Sequence, residues 1–183
     1  MKNKLLLHTC CAPCFSGVLP QIQDDFEVTS YWFNPNIYPI EEYKKRLDNL
    51  VRYAKITKTH VIINENYEED NFCWNKLTSR YSAEPEGGAR CAKCIEYRLL
   101  ETARYAYNNG YEYFATTLSV SPHKDALLVN RLGAKIESEF PEIKFLAADF
   151  KKKDGYKKSI DLCEKYNIYR QKYCGCVYSA KNF

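Results

Sequence analysis

Seven of the nine cysteines in this chain fall into three tight groups, Cys10-Cys11-Ala12-Pro13-Cys14, Cys91-Ala92-Lys93-Cys94 and Cys174-Gly175-Cys176. Grouped thiols are what metal ligation or dithiol redox chemistry requires, and any fold that uses them must bring three distant stretches of backbone to one place. The remaining two, Cys73 and Cys163, stand alone in helical patterns, where a lone cysteine behaves as a small core hydrophobe.

A chain of 183 residues fits a single domain spanning 1–183 and can bury roughly 70% of the surface its unfolded form exposes, so it needs no disulfides to fold. The apolar run Leu5-Leu6-Leu7 after Met1-Lys2-Asn3-Lys4 is too short for a signal peptide, and no stretch is long enough to span a membrane. A cytoplasmic location is expected. In a reducing compartment, grouped thiols read as metal ligands or working redox groups before they read as structural bridges.

The net charge of +4 is mild, but Lys151, Lys152, Lys153, Lys157, Lys158 and Lys165 concentrate positive charge in one stretch. That stretch suits a polyanion, or is simply the solvated face of a helix. Sixteen tyrosines and two tryptophans add surfaces on which a base can stack, although most serve packing.

Lys4 to His8 reads as a buried strand that ends at Thr9-Cys10-Cys11. Pro13 suits a helix start, which puts Cys14 in a first turn where unpaired amides favour a thiolate. A second strand, Glu27 to Phe33, runs into the turn Asn34-Pro35-Asn36. Apolar residues at three- and four-residue steps, Ile40, Tyr43, Leu47, Leu50, Val51 and Ala54, give an amphipathic helix over 39–58. Thr59 to Ile63 reads as a third strand and 67–81 as a helix. Gly87-Gly88 breaks the chain before a helix that carries Cys91 and Cys94 at its N-terminus. A fourth strand over 113–118, a loop over 119–122, a helix through about Ser138 and a strand over 144–148 ending at Asp149 complete the pattern. Strands alternating with helices imply an α/β fold with a parallel sheet, whose ligands bind beyond the carboxyl ends of the strands. Those ends supply Cys10, Asn34, Thr117 and Asp149.

The two C-x-x-C pairs, Cys11/Cys14 and Cys91/Cys94, are too far apart in sequence for a zinc ribbon. Four thiolates can hold a [4Fe-4S] cluster, and Cys10, Cys11, Cys91 and Cys94 make one such set, in which Cys14 can replace any member on spacing alone. Structural zinc and unmetallated thiols stay open at this point. A disulfide across Gly175, joining Cys174 to Cys176, would be strained and easily reduced, as catalytic disulfides are; the alternative is two further metal ligands. His8 reads as a core histidine and His123 as the better ligand contact. Asp149 is either a cap or a hard oxygen ligand.

The blocks LLLHTCCAPC, WFNPNIYP, EGGARCAKCIEYRL, FATTLSVSPHK, DFKKKDGYKKS and YRQKYCGCVYS resemble, in this order and over nearly the whole chain, the QueH-type epoxyqueuosine reductases. The resemblance implies a Rossmann-related sheet of the adenine nucleotide α-hydrolase type, flanked by helices, with a cysteine-rich metal site at the strand ends. It implies reduction of the epoxide of epoxyqueuosine at the wobble position of tRNA, by a [4Fe-4S] cluster on Cys10, Cys11, Cys91 and Cys94. A second mononuclear iron would take Asp149 and shared thiolates. HTCCAPC replaces the glycine-rich phosphate loop of ATP-binding fold relatives, which disfavours an ATP-dependent reaction. Cys174 and Cys176 would relay a reducing pair from an unidentified electron donor, with His123 and Lys124 as proton sources. Asn34, Asn36 and Tyr38 would hold the base, while Lys152 and its neighbours, with Arg90, Arg98 and Arg170, would track phosphates. The competing readings are a zinc-stabilised RNA-binding module without catalysis and a metal-free thiol-disulfide oxidoreductase.

Overall fold

The computed structural model describes residues 2–180. Leu5, Leu6 and Leu7 alternate across the first strand, β1 (Asn3–His8), and all three are fully buried. Leu5 and Leu7 enter one apolar cluster and Leu6 enters the other, so β1 is the central strand of a sheet covered on both faces. Its neighbours are β2 (Phe26–Trp32) on one side and β4 (Tyr113–Thr116) on the other. With β3 (His60–Ile63) and β5 (Lys144–Phe145) at the edges, the order is β3-β2-β1-β4-β5, all parallel. The expected doubly covered α/β sheet is therefore present.

Helices α1 (Ala12–Ile22), α2 (Ile40–Thr57) and α6 (Gly155–Lys165) close one face, while α4 (Ala89–Asn108) and α5 (Ala126–Glu137) close the other. The remaining helices are α3 (Tyr67–Thr78) and the short α7 (Val177–Ala180). No helix among the described residues is long and apolar enough to cross a membrane.

Strand order reverses at β1. The chain moves from β1 to β2 in one direction and returns to place β4 on the other side, which opens a crevice beyond the carboxyl ends of β1 and β4. Cys10 follows β1 and Thr117 follows β4, and the two meet there: the Cys10 amide donates to Thr117 Oγ1 at 3.1 Å, and that hydroxyl lies 3.3 Å from Cys10 Sγ.

Three expectations are corrected. Cys73 is exposed, because α3 buries only Trp74 and Thr78 and the residue before Trp74 is rotated about 100° away from that face. Cys163 is buried as expected. The fourth strand stops at Thr116 and passes into a 3₁₀ turn over Thr117–Val120. The fifth strand spans two residues: the Leu146 amide still bonds Phe114 at 2.9 Å, but that of Ala148 turns to the Asn130 side chain at 3.2 Å.

Helix α1 lies against α6 at Gly17, where a β-carbon would come 2.5 Å from the Gly155 carbonyl oxygen and 3.0 Å from Ser159 Cβ. Gly17→Ala is expected to lower the unfolding free energy by about 1–3 kcal/mol by forcing these helices apart. Urea denaturation followed by circular dichroism measures this.

Candidate metal and substrate site

Cys11 caps α1, and its sulfur accepts from the Cys14 amide at 3.5 Å. Pro13 stands at the start of the helix, so the unpaired amides of the first turn face the thiols. The sulfurs of Cys10, Cys11 and Cys14 all lie within 4.8 Å of one another. Cys14 is thus drawn into the first group as a third thiol, a position that spacing left undetermined. Hydrogen bonds from Cys11 and then Cys14 hold Cys10 well below the usual thiol range, while the same sharing pushes Cys11 up to about 12 and raises Cys14. The sharing favours the thiolate at Cys10 and the thiol at its two neighbours.

The second and third groups meet each other. Cys94 and Cys176 pack in one small cluster with Trp74, and Cys91, Cys174 and Cys176 line one cavity of about 250 Å³. Cys174 and Cys176 are free thiols, so the bridge across Gly175 expected from sequence is not formed in this structure. Their hydrogen bond holds Cys174 down at about 5, helped by Lys124 and Arg98, and drives Cys176 upward. Gly175 has φ 114°, a left-handed conformation that glycine tolerates.

Arg98 joins the groups. It is 3% exposed, donates to Asn34 Oδ1 at 2.9 Å, and lies 3.9 Å from Cys94 Sγ and 3.3 Å from His8 Nε2. Burial opposes its charge, but Cys94, Cys10 and Cys174 outweigh that and keep it protonated. His8 is held neutral, its pKa lowered to about 3 first by burial and then by Arg98.

A larger cavity of about 430 Å³ opens beside the first thiol group, and its walls include Cys10, Cys14, Asn34, Asn36, His123, Lys124, Arg170, Gln171 and Cys174. Of the residues singled out from sequence, the structure therefore brings Cys10, Cys174, Asn34, Asn36 and His123 to one space. Cys11 is buried behind them at the cap of α1, whereas Cys91 and Cys176 face the smaller cavity.

Several others lie elsewhere. Tyr38 is half exposed and lines neither cavity, and Lys152 is on the surface. Asp149 lines neither cavity: its carboxylate accepts from the Lys151 amide at 3.2 Å and pairs with Lys151 Nζ at 3.0 Å. Glu86 is the acidic residue on the larger cavity's wall, paired with Lys124 at 3.5 Å. Arg90 and Arg98, expected on phosphates, are buried; Arg90 donates to the carbonyls of Tyr81, Ser82 and Glu84. Arg90, Cys94, Arg98 and Thr102 repeat at four-residue steps along α4 and are all buried, a stripe the sequence displays. Arg170, by contrast, is exposed at the cavity.

Sequence reasoning missed two residues. Arg46 donates to the Cys174 and Tyr173 carbonyls at 3.0 and 3.2 Å and so fixes the third thiol group. Gln171 Nε2 lies 3.0 Å from Cys11 Sγ. Arg46 falls on the buried face of α2, which was a usable signal; Gln171, in a coil between Arg170 and Lys172, offered none.

A family model described as "Epoxyqueuosine reductase QueH" matches residues 5–182. The chain belongs to the epoxyqueuosine reductase QueH family. Relatives of that name include one from Streptococcus pyogenes, 38% identical over 99% of this chain and 72% of the relative. Another, from Staphylococcus epidermidis, is 39% identical over 98% and 77%, and one from Thermotoga maritima is 34% identical over 96% and 89%. The QueH match spans all three thiol groups, so the convergence of distant cysteines at one end of the sheet is a feature of a chain aligned with its family throughout.

The Lys124 side chain is largely enclosed, and Cys174, Cys91 and Glu86 together overcome the burial that opposes its charge. In the reduced, metal-free protein, alkylation of Cys174 should therefore stay fast down to about pH 5 and fall below it, since only the thiolate reacts. Lys124→Met should move that midpoint upward, read by peptide mass spectrometry across a pH series.

Proposed function

We propose that this protein reduces epoxyqueuosine in the anticodon loop of tRNA to queuosine, using iron held by its grouped cysteines. The observation that carries the reading is a cavity of about 430 Å³ whose wall holds Cys10 and Cys14 of the thiol triad together with Cys174, the sulfur of the third group that is pushed toward the thiolate, in a chain of this family. The donor set suits a thiolate-bound cluster: soft sulfur ligands in short reach, with a buried arginine to offset their charge.

Cys10, Cys11, Cys91 and Cys94 would hold a [4Fe-4S] cluster, and Cys14, adjacent to the first two, is the thiol left over for a second iron. Bound there, these groups supply one-electron transfer and a Lewis acid for the epoxide oxygen. The rest falls to the chain. Conversion of an epoxide to an alkene consumes two electrons and two protons and releases water; oxidation of Cys174 and Cys176 to a disulfide yields two electrons and two protons, and an external donor then restores the thiols. Lys124 and His123 are placed to hold protons at the cavity wall. Asn34 is fixed by Arg98 and by its own bond to the Thr9 carbonyl at 2.9 Å, so it presents a rigid edge to a base taken out of the loop stack. Lys152, Lys153, Lys157 and Lys158 are exposed and would meet the RNA backbone; with tRNA as substrate the working compartment would be the cytoplasm.

Anaerobic reconstitution with iron and sulfide, followed by incubation with epoxyqueuosine-containing tRNA and a reductant, should yield queuosine on nucleoside mass analysis. Colourless protein containing only zinc, with no conversion, would instead establish the zinc-stabilised RNA-binding module. Cys10→Ser should abolish both the visible absorption and turnover.

Binding of tRNA should weaken with salt, with log K falling by about 0.7 per phosphate neutralised. Replacing Lys157 and Lys158 together by alanine should reduce that slope by about 1.4, measured by filter binding over a salt series.

A further inference from the structure

Asn36 is 2% exposed, lines the larger cavity, and its side-chain oxygen is enclosed with no hydrogen-bond partner among the described residues. Gln171 lines the same cavity, and its side-chain oxygen is likewise enclosed and unpartnered. The orientation of Gln171 is set from behind, since its Nε2 is turned to the sulfur of Cys11 at 3.0 Å, leaving the oxygen as the surplus atom. A buried acceptor left unpaired costs about 1–3 kcal/mol. Both residues stand on the wall of one cavity, and a ligand with donors would satisfy the two oxygens that the described chain leaves unpaired.

We propose that Asn36 and Gln171 form an acceptor subsite for the hydroxyl groups borne by the substrate's five-membered carbocycle, the ring that carries the epoxide. The inference rests on the reaction assigned above and adds to it the residues that recognise this ring. Two neutral acceptors disfavour a phosphate, which has no proton to give, and suit paired hydroxyls, each of which donates one. Gln171 then touches the substrate with its oxygen and the Cys11 sulfur with its nitrogen. It is therefore a specificity residue that also fixes the distance between the ring and the first thiol group.

The test uses iron-reconstituted protein and two anticodon stem-loop RNAs, one carrying epoxyqueuosine and one carrying guanine at the wobble position. Asn36→Leu should weaken binding of the modified hairpin about tenfold, the loss of one hydrogen bond whose partner stays buried, and leave the guanine hairpin unchanged. Gln171→Met should do the same with iron content retained, and Asn36→Asp, which keeps an acceptor, should recover part of the loss. In the absence of RNA, Asn36→Leu should melt at or above the wild-type temperature, because it removes an unsatisfied polar group; a structural asparagine would give the reverse.

Equal weakening of both hairpins would overturn the subsite, as the residues would then be reading the base. Unchanged binding of the modified hairpin would also overturn it, the acceptors being satisfied by water. Wild-type protein that fails to distinguish the hairpins and converts neither would overturn the function itself and the subsite with it, whereas conversion by wild type and variants alike would remove the subsite alone.

Discussion

The buried guanidinium of Arg98 is the constraint from which the arrangement of this molecule follows. A cation taken out of water is costly unless it is paired and hydrogen-bonded on several sides. Arg98 finds its partners at three different places in the chain: His8 at the end of β1, Asn34 just after β2, and Cys94 one turn before it in α4. Satisfying that one side chain therefore docks the N-terminal part of α4 beneath the carboxyl ends of the two strands. Cys91 and Cys94 arrive at the same rim as Cys10 and Cys11 because of it. The same positive charge lies within reach of Cys10, Cys94 and Cys174; it favours the thiolates of Cys10 and Cys174, while at Cys94 burial outweighs it and pushes the thiol up.

Two further arginines do comparable work for the segment after α6. Between α6 and α7 the backbone runs without regular structure, and segments of that kind need external partners for their carbonyls. Helix α2 supplies them: Arg52 bonds the carbonyls of Tyr166 and Asn167 at 2.8 and 2.5 Å, and Arg46 takes those of Tyr173 and Cys174. Glu42 holds Arg46 at 2.7 Å and accepts from Tyr169 Oη. The third thiol group is thus laid along a rigid helix. It sits where Cys174 borders both cavities and Cys176 only the smaller one, which gives the dithiol one sulfur toward each space.

Most of the fold was readable from sequence because it rests on repeated local signals. The continuous Leu5-Leu6-Leu7 run, the helical period of α2, and Pro13 ahead of Cys14 each state their element directly. What was not legible depended on side-chain partners that residue type alone does not name. Arg90 and Arg98 look like phosphate ligands by residue type, and only their four-residue spacing with Cys94 and Thr102 betrays a buried stripe. Asp149 was expected at a strand end, but the strand stops at Phe145 and its carboxylate pairs with Lys151 two residues on. Gln171 carries no periodicity at all, since its place is fixed by a cysteine 160 positions away.

The thiol groups share an electrostatic design that bears on how metal would enter. In each of the hydrogen-bonded groups one sulfur is pushed toward the thiolate, Cys10 in the first and Cys174 in the third, while the neighbours that donate to it are pushed the other way. The metal-free protein thereby avoids a concentration of negative charge that would destabilise the packed rim. Ligation requires thiolates, so loading must expel the protons that Cys11 and Cys14 hold. A metal held there would share with Arg98 and Lys124 the balancing of the thiolate charge. Loading is accordingly favoured as pH rises, and its proton cost falls on Cys11 and Cys14, the thiols raised by sharing with Cys10, before it falls on Cys10 itself.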